Sequence, residues 1–525
     1  MRLSRPRHPR SHRIAGLLAL TTAVITLVAA CTSPDARWNS GDQGDPGSTI
    51  SIPPAEWEPC SEVAEDALGY PAPNSVTFEC ATIKVPKDWL DPENAETFEI
   101  ALLRARSDRQ DEDDRLGSLV INPGGPGGSG IETAVYLSFT LPTRVLRSFD
   151  IVGFDPRGVG RSSPVECLSN ADKDRMIGAE PDPKTQQEFD AILEDTREMV
   201  ETCERKYGED LKFFSTEQTA RDMDAIRQAV GDEKLTYLGY SYGTLLGAVY
   251  AELFPDRIRA MVLDGAVDPS QNEIEASEGQ AAGFERAFGN FARWCKDAGR
   301  SQCPIGPDAK ATVTKLLDEA RKVPVSGPDG RRATAGWVLS AVLYTLYVQD
   351  WWPQLSDALA KLQRNDATGV FQIVDTFNER EPDGDYPNSM DVLTTVNCVD
   401  EEKSPTVEEV RQLQHQWRDK YPLFGAPLAM TILACAVWPD YHDPYPYGKA
   451  DGAPPILVIG TTGDPATPYE QAGELAELLG TGVLVTYEGE GHTAYPAGGC
   501  LDRVVNDYLI DLKAPRSEVT CRARR

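Results

Sequence analysis

The sequence predicts an α/β fold: a doubly wound, mostly parallel sheet whose strands alternate with helices, interrupted by one long helical insertion. Three observations carry that prediction. Short runs of β-branched and aliphatic residues recur along the chain with helix-patterned stretches between them, the alternation that builds parallel sheets. Several of these runs end in loops rich in Gly, Asp or Ser, the edge at which such sheets carry their chemistry. From about 270 to 445 the alternation gives way to helix-patterned sequence.

The chain has 525 residues, 41% of them hydrophobic and 26% charged, enough for a large core. Its 52 Lys+Arg against 82 Asp+Glu give a net charge of −30. Nucleic acid is therefore excluded as a partner, because phosphate binding needs clustered cations. The acidity reads as a solvated surface that keeps an exported protein soluble.

The first thirty residues form a targeting segment. Arg2, Arg5, Arg7, Arg10 and Arg13 make a basic leader, and Ile14 to Ala30 follow without a charge, too short to span a bilayer comfortably. The stretch ends at Val28-Ala29-Ala30-Cys31. Small residues directly before a cysteine resemble a bacterial lipobox, in which that cysteine is acylated and becomes the mature N-terminus. Residues 31–58 are rich in Gly, Ser, Pro and Asp and read as a flexible tether.

Ten cysteines remain after Cys31: Cys60, Cys80, Cys167, Cys203, Cys295, Cys303, Cys398, Cys435, Cys500 and Cys521. An even number in an exported chain argues for disulfides. Pairing of neighbours, from Cys295–Cys303 up to Cys398–Cys435, is one connectivity among those the sequence allows. No Cys-x-x-Cys pair occurs and only five histidines are present, so a zinc site is not expected.

Residues 76–83 and 97–103 alternate like half-buried strands at an antiparallel edge. The runs 118–121, 150–154, 235–238, 259–264, 455–459 and 482–486 are continuously apolar, or nearly so, as expected of strands covered on both faces. Residues 216–230 have a helical pattern between two of them. The predicted division is a leader over 1–30, a tether over 31–58, a core over 59–269, a helical cap over 270–445 and a second core segment over 446–525. The cap's aromatic cluster, Tyr344, Tyr347, Trp351 and Trp352, is expected to pack between its helices.

The chemistry centres on Gly239-Tyr240-Ser241-Tyr242-Gly243, directly after the run 235–238. A strand ending in Gly-x-Ser-x-Gly and continuing as a helix presents the serine hydroxyl on a strained elbow at the sheet's carboxyl edge. A serine nucleophile needs a base, a carboxylate to orient it and donors for an oxyanion. Asp464 lies a few residues past the run 455–459, and His492 lies in the loop after the next run. The order Ser241, Asp464, His492 is that of a hydrolase triad. Asp264, which also ends a strand, competes with Asp464 for the carboxylate role. The loop Asn122-Pro123-Gly124-Gly125-Pro126-Gly127-Gly128 follows a strand directly, and its glycines let backbone N–H groups approach a reacting carbonyl. Gly125 is the expected donor there, with the N–H of Tyr242 as the second. Phe154-Asp155-Pro156-Arg157-Gly158-Val159-Gly160 reads as a structural turn in which Arg157 satisfies buried carbonyls or carboxylates.

These motifs, together with Thr462-Gly463-Asp464-Pro465 and Gly489-Glu490-Gly491-His492, resemble the tripeptidyl-aminopeptidase group of α/β hydrolases. That group comprises exported actinobacterial serine peptidases related to prolyl aminopeptidases, and its mycobacterial lipoprotein members are also described as carboxylesterases. The resemblance spans about residues 56 to 521. It implies an α/β-hydrolase fold with a helical cap and a triad of Ser241, Asp464 and His492, with an oxyanion hole at Gly125 and Tyr242. The implied activity is release of short peptides from free N-termini, with cleavage of lipid or small acyl esters as the alternative. No metal or organic cofactor is implied. The implied location is the outer face of the cell membrane, reached through a lipid on Cys31. Family aminopeptidases hold the substrate ammonium with cap carboxylates, and Asp400, Glu401 and Glu402 are the candidates here. Thr467, three residues after the acid, is a candidate support for its loop.

Overall fold

The computed structural model describes residues 50–523. The leader, Cys31 and most of the tether lie outside the described residues. Seven strands precede the helical insertion: β1 (Glu58–Pro59), β2 (Val76–Pro86), β3 (Thr97–Ser107), β4 (Gly117–Asn122), β5 (Phe149–Phe154), β6 (Leu235–Tyr240) and β7 (Ile258–Asp264). β8 (Val325–Ser326) and β9 (Arg332–Ala333) form a small hairpin within it, and β10 (Ile456–Gly463), β11 (Gly482–Glu490) and β12 (Val519–Arg522) follow. All but the hairpin join one ten-stranded sheet in the order β1-β2-β3-β5-β4-β6-β7-β10-β11-β12.

β1, β2, β3 and β5 pair antiparallel, and every pair from β5 to β12 is parallel. β4, β5 and β6 are buried at every position, which is why their sequences are continuous apolar runs rather than alternating ones. The chain moves from β4 outward to β5, then returns to place β6 on the other side of β4. That reversal opens a crevice at the carboxyl ends of β4 and β6, where open α/β sheets bind their ligands. The glycine-rich loop leaves β4 and the serine elbow leaves β6, so both meet at the crevice.

Helices from Glu273–Ala298 to Leu433–Ala436 occupy the interval between β7 and β10. They have a hydrophobic core of their own, built around Phe284, Phe291, Trp337, Trp352, Phe371 and Phe424. The cysteines pair as Cys60–Cys80, Cys167–Cys203, Cys295–Cys303, Cys398–Cys435 and Cys500–Cys521, the neighbour pairing. Five disulfides fit a chain that matures in an oxidising compartment outside the cytosol. No helix among the described residues is long and apolar enough to cross a membrane.

Arg157 is the largest wholly buried side chain. Its Nε and Nη2 donate to the two carboxylate oxygens of Asp222 at 2.7 and 2.6 Å. The carbonyls of Lys87, Phe213 and Pro86 accept its remaining protons, so the turn after β5 has the structural role its sequence suggests. Burial pushes the Asp222 carboxyl up despite the guanidinium beside it, and removing that cation strands the carboxylate. Arg157→Met is expected to lower stability by about 3–5 kcal/mol, the usual penalty for breaking a buried pair from one side. Urea unfolding of the variant against the wild type checks this.

Candidate active site

Ser241 sits at φ 54° and ψ −126°, a conformation side chains rarely adopt and one that stores strain at functional sites. It is held there by its own N–H donating to the Asp264 carbonyl at 2.9 Å, while its carbonyl accepts from Thr244 N and Thr244 Oγ1 at 2.8 and 2.7 Å. The flanking glycines are required by contact. A Cβ on Gly239 would stand 2.3 Å from the Gly243 carbonyl oxygen, and one on Gly243 would stand 2.8 Å from Asn122. Tyr242 opens the helix Tyr242–Leu253, and its N–H is one of the first-turn donors that no helical bond satisfies.

The loop after β4 presses onto this elbow. A Cβ on Gly124 would lie 2.5 Å from the Tyr240 carbonyl oxygen and 2.9 Å from the Ser241 Cβ, and Asn122 Oδ1 accepts the Gly124 N–H at 2.9 Å. Gly125, at φ +116°, is exposed, and its N–H has no acceptor among the described residues. Ser129 continues the loop and caps the next helix, while its hydroxyl donates to Asp155 at 2.6 Å. The Asp155 turn thus braces the glycine loop from behind.

At the far side, His492 Nδ1 lies 3.0 and 2.9 Å from the two Asp464 oxygens. Asp464 is fully buried and accepts four further hydrogen bonds, from Ala466 N, Thr467 N, Thr467 Oγ1 and Thr493 N. So many donors fix its carboxylate plane, and the proton on His492 Nδ1 completes the set. That assignment leaves Nε2 with its lone pair, and Nε2 makes no hydrogen bond among the described residues. Burial alone would push the His492 pKa down, but the charge and hydrogen bond of Asp464, with the charge of Asp264, hold it above its ordinary value. Thr467 supports both partners, since its hydroxyl is also 3.3 Å from His492 Nδ1.

Serine and histidine meet through Asp264 and Gly265 rather than by a direct hydrogen bond. The Asp264 carbonyl takes the Ser241 N–H, and a Cβ on Gly265 would lie 3.3 Å from His492 Cε1. Bonds between nucleophile and base are often long without substrate and tighten when it binds. Asp264 itself does not face the imidazole as its carboxylate partner: its oxygens accept the Ala494 and Tyr495 N–H groups. Of the two carboxylates, it is Asp464 that lies against the imidazole.

Residues 117–498 match the family described as alpha/beta hydrolase fold. The chain belongs to the α/β-hydrolase family. Among its relatives, the serine protease Hip1 of Mycobacterium tuberculosis is 39% identical over 89% of this chain and 91% of its own length. Carboxylesterase B of the same species is 34% identical over 91% of each chain. The tripeptidyl aminopeptidase of Streptomyces lividans is 30% identical over 96% of this chain and 95% of its own. This α/β hydrolase is a serine hydrolase.

The insertion reaches into the site of the hydrolase. The Tyr347 carbonyl accepts the His492 N–H at 2.7 Å, and the Tyr347 ring stands edge-to-face on the imidazole at 5.2 Å. The aromatic cluster packs between the helices of the insertion as expected, and one member does more. Trp352 packs on Phe291 and Trp294, Tyr344 stacks on Phe377, and Tyr347 packs on Phe284 and Phe377 while also meeting the histidine. No short motif signals that contact, which joins residues far apart in sequence.

The three acidic candidates separate. Both Asp400 oxygens accept from Thr216, at 2.8 Å from its N–H and 2.5 Å from its hydroxyl, and Thr216 Oγ1 lies 2.6 Å from the Tyr242 hydroxyl. Glu401 accepts the Glu273 N–H at 2.7 Å, so Glu273, which the sequence does not single out, joins the cluster. Burial and mutual repulsion raise Glu273 to about 7 and raise Glu401 and Asp400 as well, Asp400 far above the carboxylate range. Glu402 is exposed and lines a small surface cavity with Lys403, Ser404, Trp438 and His442, apart from the hydrogen bonds that join Asp400 to Tyr242.

Proposed function

We propose that this chain is an exported, lipid-anchored aminopeptidase that releases short peptides, tripeptides among them, from free N-termini. The observation that carries the reading is the group Glu273, Asp400 and Glu401. These are three half-buried carboxylates with raised pKa values and no ion pair to any cation among the described residues. The group lies one tyrosine side chain and two hydrogen bonds from the residue after Ser241. A substrate ammonium held there would lie near the serine, with the length of the released peptide set by the span between them. An ammonium supplies the charge that the cluster lacks. The tripeptidyl aminopeptidase and serine protease relatives support the same reading.

In this mechanism His492 Nε2 takes the Ser241 proton as the hydroxyl attacks the scissile carbonyl, and then returns it to the leaving amine. Asp464 holds the imidazole tautomer and stabilises its charged form. The N–H groups of Gly125 and Tyr242, which have no acceptor among the described residues, hold the oxyanion. Water then cleaves the acyl-enzyme by the same route. Residues 270–445 act as a cap that admits short chains and excludes folded ones, and acylated Cys31 ties the enzyme to the outer face of the membrane.

A second reading, cleavage of acyl esters, rests on the likeness to carboxylesterase B, and the same serine would perform it. Free and N-acetylated tripeptide amides separate the two. Under the aminopeptidase reading the acetylated substrate loses at least about tenfold in kcat/KM, roughly the loss of one charged contact. Asp400→Asn raises KM for the free peptide while leaving that for the blocked one unchanged. Equal cleavage of both peptides sinks the aminopeptidase reading and leaves the esterase.

A further inference from the structure

Asp264 is a carboxylate that the mechanism above does not use. It is fully buried at the end of β7 and joins the two halves of the site. Its carbonyl accepts the Ser241 N–H at 2.9 Å. Its Oδ2 accepts the Ala494 and Tyr495 N–H groups at 2.9 and 2.6 Å, and its Oδ1 lies 3.1 Å from Ala494 N. One residue thus holds the nucleophile with its backbone and the segment after the histidine with its side chain.

That segment needs holding. Thr493, directly after His492, sits at φ +64°, where a β-branched residue is strained. Its own N–H is tied to Asp464 and the next two N–H groups to Asp264. Without the Asp264 carboxylate, Thr493 is free to relax, and its relaxation carries the imidazole with it. Gly265, at φ +72° with Thr493 and His492 packed against it, leaves no side chain there to do the same work.

We propose that Asp264 is a positioning residue of the hydrolase, and that its carboxylate must be ionised to hold His492 where it serves Ser241. A protonated carboxyl has one oxygen committed to a proton that faces an N–H, so it keeps at most part of the clamp. This rests on the serine-hydrolase reading of Ser241 and His492, not on the peptidase reading. The groups facing Asp264 are Asp464 at the end of β10, His492 after β11 and the Tyr240 hydroxyl from β6. Burial raises Asp264 to about 6, against the two backbone hydrogen bonds and the imidazole, which lower it, and with Asp464 adding to the rise. The sign follows: a raised carboxyl is ionised and clamping above that pH and loses the clamp as pH falls through it. A fold shaped by stability alone gains nothing from a buried charge of this kind, because its ionised form is the one that burial penalises.

The test is the pH profile of kcat/KM from 4.5 to 8 on a neutral acetate ester, so that the substrate does not titrate. In the wild type both Asp264 and His492 must lose a proton. The acid limb is expected to approach a slope of two on logarithmic axes. Asp264→Asn is expected to lower kcat about 100-fold with KM nearly unchanged, the effect of a small misplacement of a catalytic group. Its acid limb should fall to a slope of one and move to lower pH, since the smaller of the two charges that raise His492 is gone. A wild-type slope of one overturns the proposal without any variant. So does an Asn variant with wild-type kcat and an unmoved limb. Asp264→Glu, which keeps the charge, is expected to recover the steeper limb. A wild type that a fluorophosphonate fails to label overturns the hydrolase reading itself, whatever the slopes.

Discussion

Ser241→Ala is expected to abolish turnover of peptide and ester alike, lowering kcat by roughly 10⁵–10⁶, the loss typical when a triad nucleophile is removed. The protein should remain folded and bind substrate with unchanged affinity. Alanine keeps the Cβ that the elbow already accommodates, so the strain at φ 54° is the same in both proteins. The hydroxyl makes no hydrogen bond among the described residues, so its removal strands no partner. None of the elbow's support depends on the Ser241 hydroxyl: it comes from the Asp264 carbonyl, the Thr244 N–H and hydroxyl, and the packing of Gly124 on Tyr240. Fluorophosphonate labelling of the two proteins side by side reads the nucleophile directly, and thermal melting confirms the fold. Labelling of the alanine variant, or activity within tenfold of the wild type, would remove Ser241 from the mechanism. A wild type that does not label would instead indicate an idle binding protein on a hydrolase scaffold.

What was legible in the sequence follows from how each contact is encoded. The strands β4 to β7 and β10 stand out because burial on both faces makes them nearly apolar throughout; β11 also lies where its run predicts, but it is only partly covered rather than buried on both faces, and each of these strands reaches beyond its run at one or both ends. β1 and β12 leave no such trace. Glu58-Pro59 and Val519-Thr520-Cys521-Arg522 are short edge pieces with too few apolar residues to signal a strand, and β12 is tied down by Cys521. The proposed triad of Ser241, Asp464 and His492 is legible because each follows its own strand at a short interval. Their supports are not. The Asp264 clamp joins residues 230 apart, and the Thr216–Asp400 bond joins residues 184 apart. The packing of Tyr347 on His492 likewise crosses from the insertion to the core. Such contacts arise only when the sheet brings strand ends together, and local pattern has no term for them. Asp264 closes β7 and Asp464 directly follows β10, and only the direction of their carboxylates, one toward the Ala494 and Tyr495 N–H groups and the other toward His492, tells them apart.

Asp464→Asn is the second large effect, and it reads the histidine rather than the serine. Asparagine has the shape of aspartate but only one acceptor oxygen. Ala466 N and Thr467 N donate to one oxygen of Asp464, while Thr493 N and the Thr467 hydroxyl donate to the other. If the amide oxygen keeps the first pair, its NH₂ group faces the Thr493 N–H and His492 Nδ1. A donor against Nδ1 selects the tautomer with its proton on Nε2, and that nitrogen can no longer accept the Ser241 proton. The expected loss in kcat is about 10⁴, the typical consequence of a wrong tautomer in an otherwise intact triad. The pH profile must change as well. The Asp464 charge and hydrogen bond are the larger of the interactions that hold His492 above its ordinary pKa against burial, with the Asp264 charge the smaller. Without them the imidazole stays neutral to lower pH, and the acid limb of the residual activity moves down. Nitrogen-15 NMR of the imidazole reports the tautomer independently of turnover, with the proton on Nδ1 in the wild type and on Nε2 in the variant. A variant within tenfold of wild-type kcat, or one whose Nδ1 remains protonated, would mean that Asp464 is not the carboxylate that orients the base.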